Sequence, residues 1–99
     1  MLRKMWIIRS FEEKVSEMCA RRQITGLIHL GIGQEAVAVG VCSLLQADDY
    51  IFGGHRAHGH AIAKGAELGR LMAELAGRST GYCGGKGGSV PLGALESGF

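Results

Sequence analysis

Glycine supplies 17 of the 99 residues, against an average of about 7%, and its placement limits what the chain can fold into. The glycines gather in three stretches that also carry His, Arg or Lys: Gly26 to Gly33, Gly53 to Gly59, and Gly77 to Gly88. Lacking a Cβ, glycine suits loops where backbone must approach something closely. Regular structure is therefore pushed into the intervals between these stretches. A single Pro leaves little case for a disordered linker.

The first interval carries a helical pattern over residues 2–22. Met5, Ile8, Phe11, Val15, Met18 and Cys19 recur at three- and four-residue steps, with Arg9, Glu13, Glu17 and Arg21 on the other sides. Glu17 and Arg21 form an i,i+4 pair in the favourable order, worth about 0.3 kcal/mol. Ser10-x-x-Glu13 matches a capping box, but the stripe continues through Ser10 in phase, so one long helix is expected, ended by Gly26. Leu27 to Gly33 reads as a loop around His29. A second helix follows from about Gln34 to Leu45, buried on most sides because it has few charges. Gly40 within it costs about 1 kcal/mol relative to Ala and implies a close helix contact.

Asp48-Asp49 then predicts a turn into a short buried strand at Tyr50-Ile51-Phe52. A short helix to about Lys64 and a better-marked one from Glu67 to Ala76 come next, the latter with Leu68, Leu71, Met72 and Leu75 on one face. Tyr82 to Ser89 is glycine-rich. Val90, Leu92 and Leu95 have little left to pack on, so the chain is expected to be part of a longer polypeptide, incomplete at its C-terminus.

Eleven Lys and Arg against nine Asp and Glu give a net charge of +2. The basic residues are scattered and aromatics do not interleave with them, which argues against a nucleic-acid partner. Cys19, Cys42 and Cys83 are odd in number and lack a CxxC, as thiols in a reducing compartment would be. The N-terminus is basic and then apolar, but the apolar run is short and no small-residue cleavage site follows. No run approaches the ~18 apolar residues of a membrane span. A soluble intracellular protein is expected.

Chemistry-bearing residues concentrate in His55-Arg56-Ala57-His58-Gly59-His60 and around His29. Read by residue type alone, Arg56 is a solvated loop arginine and His29 a core histidine bonded to backbone. His58 and His60 read the same way, as structural hydrogen-bonding residues. Three His in six residues invite a metal, but no Cys or carboxylate stands close by in sequence, so no metal site is expected. Gly84 to Ser89 invites a phosphate loop but fails its spacing, because Gly87-Gly88 separate Lys86 from Ser89. A glycine-rich surface turn closing over neighbouring backbone is the expectation. Gln34-Glu35 opens a helix, with Glu35 favoured by the dipole, or else serves a subunit interface.

Four segments in order carry a family resemblance. They are Gly26-Leu27-Ile28-His29-Leu30-Gly31-Ile32-Gly33-Gln34-Glu35-Ala36-Val37, then His55-Arg56-Ala57-His58-Gly59-His60, then Met72-Ala73-Glu74-Leu75-Ala76-Gly77-Arg78, and Thr80-Gly81-Tyr82-Cys83-Gly84-Gly85-Lys86-Gly87-Gly88-Ser89. Together with Arg9-x-Phe11-Glu12, they resemble the N-terminal part of the α subunit of thiamine-diphosphate-dependent 2-oxo acid or acetoin dehydrogenase E1 components. The resemblance implies an α/β thiamine-diphosphate-binding fold, of which residues 1–99 hold the helical N-terminal region and the first strand. It implies decarboxylation of a 2-oxo acid such as pyruvate, or cleavage of acetoin, with the acyl group passed to a lipoyl-bearing E2. The implied assembly is an α2β2 heterotetramer with an E1 β subunit, in the cytoplasm or in a mitochondrial or plastid matrix.

Carried over by position, Arg56 would pair with the cofactor diphosphate, where its planar fork holds two oxygens at once. His55 stands where the family has Tyr or His beside the same diphosphate and the substrate, and His29 matches a histidine on the substrate side. His29 and His55 are thus the catalytic candidates, and His55 and Arg56 the cofactor-binding ones. The family's magnesium motif, Gly-Asp-Gly followed by Asn, is absent from these residues, and the glutamate that activates the cofactor belongs to the β subunit. Val90-Pro91 stands where many members have Met-His, which weakens any choice of substrate. His55-Arg56 with His60, and the Thr80 to Cys83 wording, lean towards the acetoin branch. A truncated, non-catalytic fragment that only binds partner subunits is the alternative.

Overall fold

The apolar stripe of the N-terminal segment forms one continuous helix, α1, Leu2–Ala20. A computed structural model describes residues 1–90 and 92–99; Pro91, and with it half of the Val90-Pro91 departure, lies outside the described residues. Ile8, Phe11 and Val15 are buried on one face, with Met5, Met18 and Cys19 packed partly against the same core. The Ser10 capping box starts nothing, because a cap worth about 1 kcal/mol cannot outweigh burial of Ile8 upstream of it, worth about 1.5–3 kcal/mol. Glu17 and Arg21 close their pair at 2.9 Å.

α1 ends before the expected Gly26. Arg22 adopts φ 58°, the Arg22 N–H bonds the Cys19 carbonyl at 3.0 Å, and the Gln23 N–H bonds that of Met18 at 2.9 Å. This pair of bonds around a left-handed residue is a Schellman motif. An arginine occupies the position usually given to glycine.

Helix α2, Glu35–Cys42, is shorter than the predicted Gln34 to Leu45. Ala38, Val39 and Cys42 face inward, while Val37, Val41 and Leu44 are 60%, 51% and 82% exposed. The expectation of burial on most sides is thus corrected: one face packs on α1 and on α3, His58–Lys64, and the other has no cover among the described residues. The close contact assigned to Gly40 is corrected as well, since a Cβ there would meet nothing within 4 Å. The tight crossing is at Gly59 instead, where a Cβ would lie 3.3 Å from Ile8 Cγ2 and 3.4 Å from Ala38 Cβ. That glycine lets α3 sit against both other helices.

Helix α4, Leu68–Leu75, is capped by the Glu67 side chain, which accepts from the N–H groups of Gly69 and Arg70 at 2.8 and 2.7 Å. Leu71 and Leu75 are buried as predicted and Met72 partly so, while Leu68 stays 39% exposed. Leu92 is buried in the core, contrary to expectation, whereas Val90 and Leu95 are exposed.

Tyr50-Ile51-Phe52 is not a strand. The Ile51 N–H bonds the Gly98 carbonyl at 2.9 Å, but no strand is formed among the described residues. A strand needs a neighbour's ladder to satisfy its backbone, and none is offered here. Nor is the segment buried, with Phe52 99% exposed. The expected first strand is therefore corrected: the described residues hold four α-helices and a short 3-10 turn, Leu95–Ser97.

Candidate functional site

The three residues expected to carry function come together from two loops. His29, on the segment between α1 and α2, and His55, on the turn before α3, meet edge to face with ring centroids 4.8 Å apart and planes at 81°. Arg56 Nη1 donates to the Leu30 carbonyl, which ties the second loop to the first. His55 and Arg56 are exposed and His29 is half-buried, so all three side chains reach solvent at the surface where the two loops meet. An anion with several oxygens is the ligand such a set recognises.

Behind this surface runs a buried chain of polar groups. Glu12 and His58 are each 0% exposed. His58 Nδ1 lies 3.1 and 3.2 Å from the two Glu12 carboxylate oxygens, and Nε2 lies 2.7 Å from Ser89 Oγ. Glu12 Oε1 also accepts from the Gly31 N–H at 3.3 Å. His58 is thus a structural hydrogen-bonding residue, as its type suggested. His60 departs from that reading, because its Nδ1 is buried without a hydrogen-bond partner among the described residues. A cavity of about 10 Å³ beside Glu12, Gln34, Arg56 and His60 has room for one water at most.

The glycine-rich loop closes over backbone as expected, around a carboxylate. Glu74, 0% exposed on α4, accepts from the N–H groups of Cys83, Gly85, Gly87 and Gly88 at 2.7, 2.8, 2.7 and 3.0 Å. Such a nest of N–H groups is an anion site, and here the protein's own side chain fills it. Burial pushes the Glu74 carboxyl up, but the four N–H groups outweigh it and hold it below the usual carboxylate range. The loop therefore offers these N–H groups to Glu74 and not to a phosphate. Gly81 and Gly85 permit the wrap: a Cβ at Gly81 would lie 2.5 Å from Glu74 Cα, and one at Gly85 2.4 Å from the Gly77 carbonyl carbon.

Glu35 opens α2 and pairs with Arg9, whose Nε and Nη2 donate to its two oxygens at 2.7 and 3.2 Å. The Arg9 hydrogen bond, with those from N–H groups of Glu35 itself and of Gly33, takes its carboxyl down to about 2. Among the described residues no group of three or more His, Cys, Asp or Glu is arranged to hold a metal ion, and no helix is long and apolar enough to cross a membrane.

Glu12, Ser89 and Glu74 were not expected from the sequence. The signal for two of them was present: Glu12 falls in phase with Ile8 and Val15, and Glu74 stands between Leu71 and Leu75. A carboxylate inside an apolar stripe is buried for a reason.

The description of one protein family, dehydrogenase E1 component, matches residues 3–96. The chain is 51% identical over its full length to the acetoin:2,6-dichlorophenolindophenol oxidoreductase α subunit of Bacillus subtilis, covering 30% of that protein. It is 44% identical to the Cupriavidus necator protein of the same name over 98% of the chain, covering 29% of that relative. It is 45% identical over 98% of the chain to the pyruvate dehydrogenase E1 component α subunit of Zymomonas mobilis, covering 28% of that protein. The chain thus spans less than a third of the length of these relatives, and within that span it belongs to the dehydrogenase E1 component family.

Proposed function

We propose that residues 1–99 are the N-terminal part of an E1 α subunit that binds thiamine diphosphate and decarboxylates a 2-oxo acid or cleaves acetoin. The observation that supports the reading is the meeting of the His29 and His55 rings beside the Arg56–Leu30 contact, which brings the two loops together. In the complete subunit, an α/β thiamine-diphosphate fold supplies the sheet that Tyr50–Phe52 would join. Bound there, the cofactor supplies the carbanion-stabilising chemistry that no side chain can.

This chain's residues bind and orient. Arg56 grips diphosphate oxygens with its fork, already held in place by the Leu30 carbonyl. His55 stands beside the same oxygens. His29 donates or accepts a proton on the substrate side, since an imidazole offers one nitrogen as donor and the other as acceptor. Magnesium requires a set of oxygen ligands in near-octahedral geometry. Its motif would lie beyond Phe99, and the complete α subunit would hold it.

The partners are an E1 β subunit in an α2β2 assembly and a lipoyl-bearing E2. The B. subtilis and C. necator relatives support acetoin as substrate, and the Z. mobilis relative supports pyruvate. A second reading, a fragment that binds partner subunits without catalysis, draws on the uncovered apolar face of α2 and the fully exposed Phe52.

The test is calorimetric titration of thiamine diphosphate with magnesium into the complete α subunit assembled with β, and into the 99-residue chain alone. Binding to the assembly that Arg56→Ala weakens at least tenfold is expected, with none to the chain alone. Equal binding by wild type and Arg56→Ala would remove Arg56 from the site. An assembly that forms but binds no cofactor would favour the fragment reading.

A further inference from the structure

The site described above stands on two loops, with the glycine-rich loop beside them. Glu12 reaches the first directly, the second through His58 at the start of α3, and the glycine-rich loop through the far nitrogen of the same ring. We propose that Glu12, acting through His58, is the positioning residue that holds these loops in register, resting on the reading that the site takes thiamine diphosphate. Glu12 accepts directly from Gly31, two residues past His29. It grips His58, two residues past Arg56, with both oxygens. The opposite nitrogen of the same ring reaches Ser89 at the end of the glycine-rich loop. Gly31 is held close enough that an added Cβ would lie 3.4 Å from Glu12 Oε1 and 3.8 Å from the Arg56 carbonyl.

The chemistry fixes the geometry. An ionised carboxylate only accepts hydrogen bonds, so His58 Nδ1 carries a proton and donates it to Glu12. Nε2 then accepts from the Ser89 hydroxyl when the ring is neutral, or donates to it when the ring is charged. Either state keeps the three loops joined. A packed apolar trio would give comparable or greater stability, since desolvation offsets most of what a buried charged pair gains. What the polar chain adds is a single allowed arrangement of the loops.

The order Glu12–His58–Ser89 also matches the contact sequence of an acyl-transfer triad, but the surroundings exclude that chemistry. The Gly87 and Gly88 N–H groups that would stabilise an oxyanion are bonded to Glu74, and Ser89 is 5% exposed. The relay is positional.

The test titrates thiamine diphosphate into the complete α subunit assembled with its β subunit, as wild type, Glu12→Gln, Ser89→Ala and the double variant. Glu12→Gln is expected to weaken binding about tenfold, the lower end of what loss of an outer support costs, and Ser89→Ala about fivefold. The double variant should bind no worse than Glu12→Gln, because both act on one ring. Turnover at saturating cofactor should stay within about twofold of wild type. Unchanged affinity in Glu12→Gln, or effects that multiply in the double variant, would overturn the proposal. If Glu12→Gln does not assemble, Ser89→Ala decides alone, and unchanged affinity there overturns it. Absence of binding by wild type would instead bring down the cofactor reading, and this proposal with it.

Discussion

His55 presents its ring to His29 edge to face, with centroids 4.8 Å apart. Such an aromatic contact is worth about 0.5–1.5 kcal/mol beyond burial, enough to fix the face each imidazole turns to the open surface. A tyrosine at position 55 keeps the ring edge and adds a hydroxyl donor. His55→Tyr is therefore expected to retain thiamine diphosphate affinity within about threefold, whereas His55→Ala loses about tenfold. Cofactor titration of the assembled heteromer measures both. Equal losses in the two variants would show that the imidazole itself, not an aromatic edge, is needed.

Two glycines in neighbouring helices should respond oppositely to a methyl group. Gly40 has open space around it, so Gly40→Ala is expected to stabilise the fold by about 0.5–1 kcal/mol through helix propensity and a less flexible unfolded chain. Gly59 sits against Ile8 and Ala38, both buried. Overpacking at about 1–3 kcal/mol there exceeds the propensity gain, and Gly59→Ala should destabilise by about 1 kcal/mol. Urea denaturation of each variant checks the pair. Destabilisation by Gly40→Ala would mean that something packs on the outer face of α2.

Periodicity made the helices legible, because a stripe such as Ile8, Phe11, Val15 states both the element and its buried face. Motif order singled out His29, His55 and Arg56 before any contact was known, and the structure brings the two rings together and ties Arg56 to Leu30. What could not be read was which polar residue finds which partner across the chain. Glu12 meets His58 and Glu74 meets Gly85 through tertiary geometry that no local spacing encodes. The same limit explains Gly40: the sequence marks a glycine in a helix, but only the crossing of α1, α2 and α3 shows that Gly59 is the one in contact. Tyr50–Phe52 has strand-like residues, and a strand exists only where a second strand bonds to it.

The end of α1 carries a removable cost. Arg22 holds φ 58°, where an L-residue with a Cβ pays about 1–2 kcal/mol. Glycine avoids that at the expense of about 0.5–1 kcal/mol of unfolded-chain entropy. Arg22→Gly is expected to raise stability by about 0.5–1 kcal/mol, since the Schellman bonds to Cys19 and Met18 are made by backbone and survive the change. A lower urea midpoint would show that the Arg22 side chain makes a contribution that outweighs the strain.

Acid should unfold the protein through two carboxylates. Glu35 is taken from 4.5 to about 2 by Arg9 and by N–H groups of Glu35 and Gly33, and Glu74 is also held below its usual value by the glycine-rich loop despite its burial. A folded pKa below the unfolded one means the unfolded chain binds protons first as pH falls. The stabilisation is thus fully present above about 4.5, and for Glu35 it is lost as pH drops through about 2. The urea midpoint is expected to vary little on their account between neutral pH and about pH 5, then to fall as pH is lowered further. Glu35→Gln cannot be protonated and keeps one acceptor oxygen, enough for Arg9 Nε and the Gly33 N–H but not for Arg9 Nη2, so its midpoint should start lower at neutral pH and fall less below about pH 4.5. Parallel curves for wild type and Glu35→Gln would show that the Arg9 pair does not drive the acid transition, and would leave the Glu74 nest as the group to replace next.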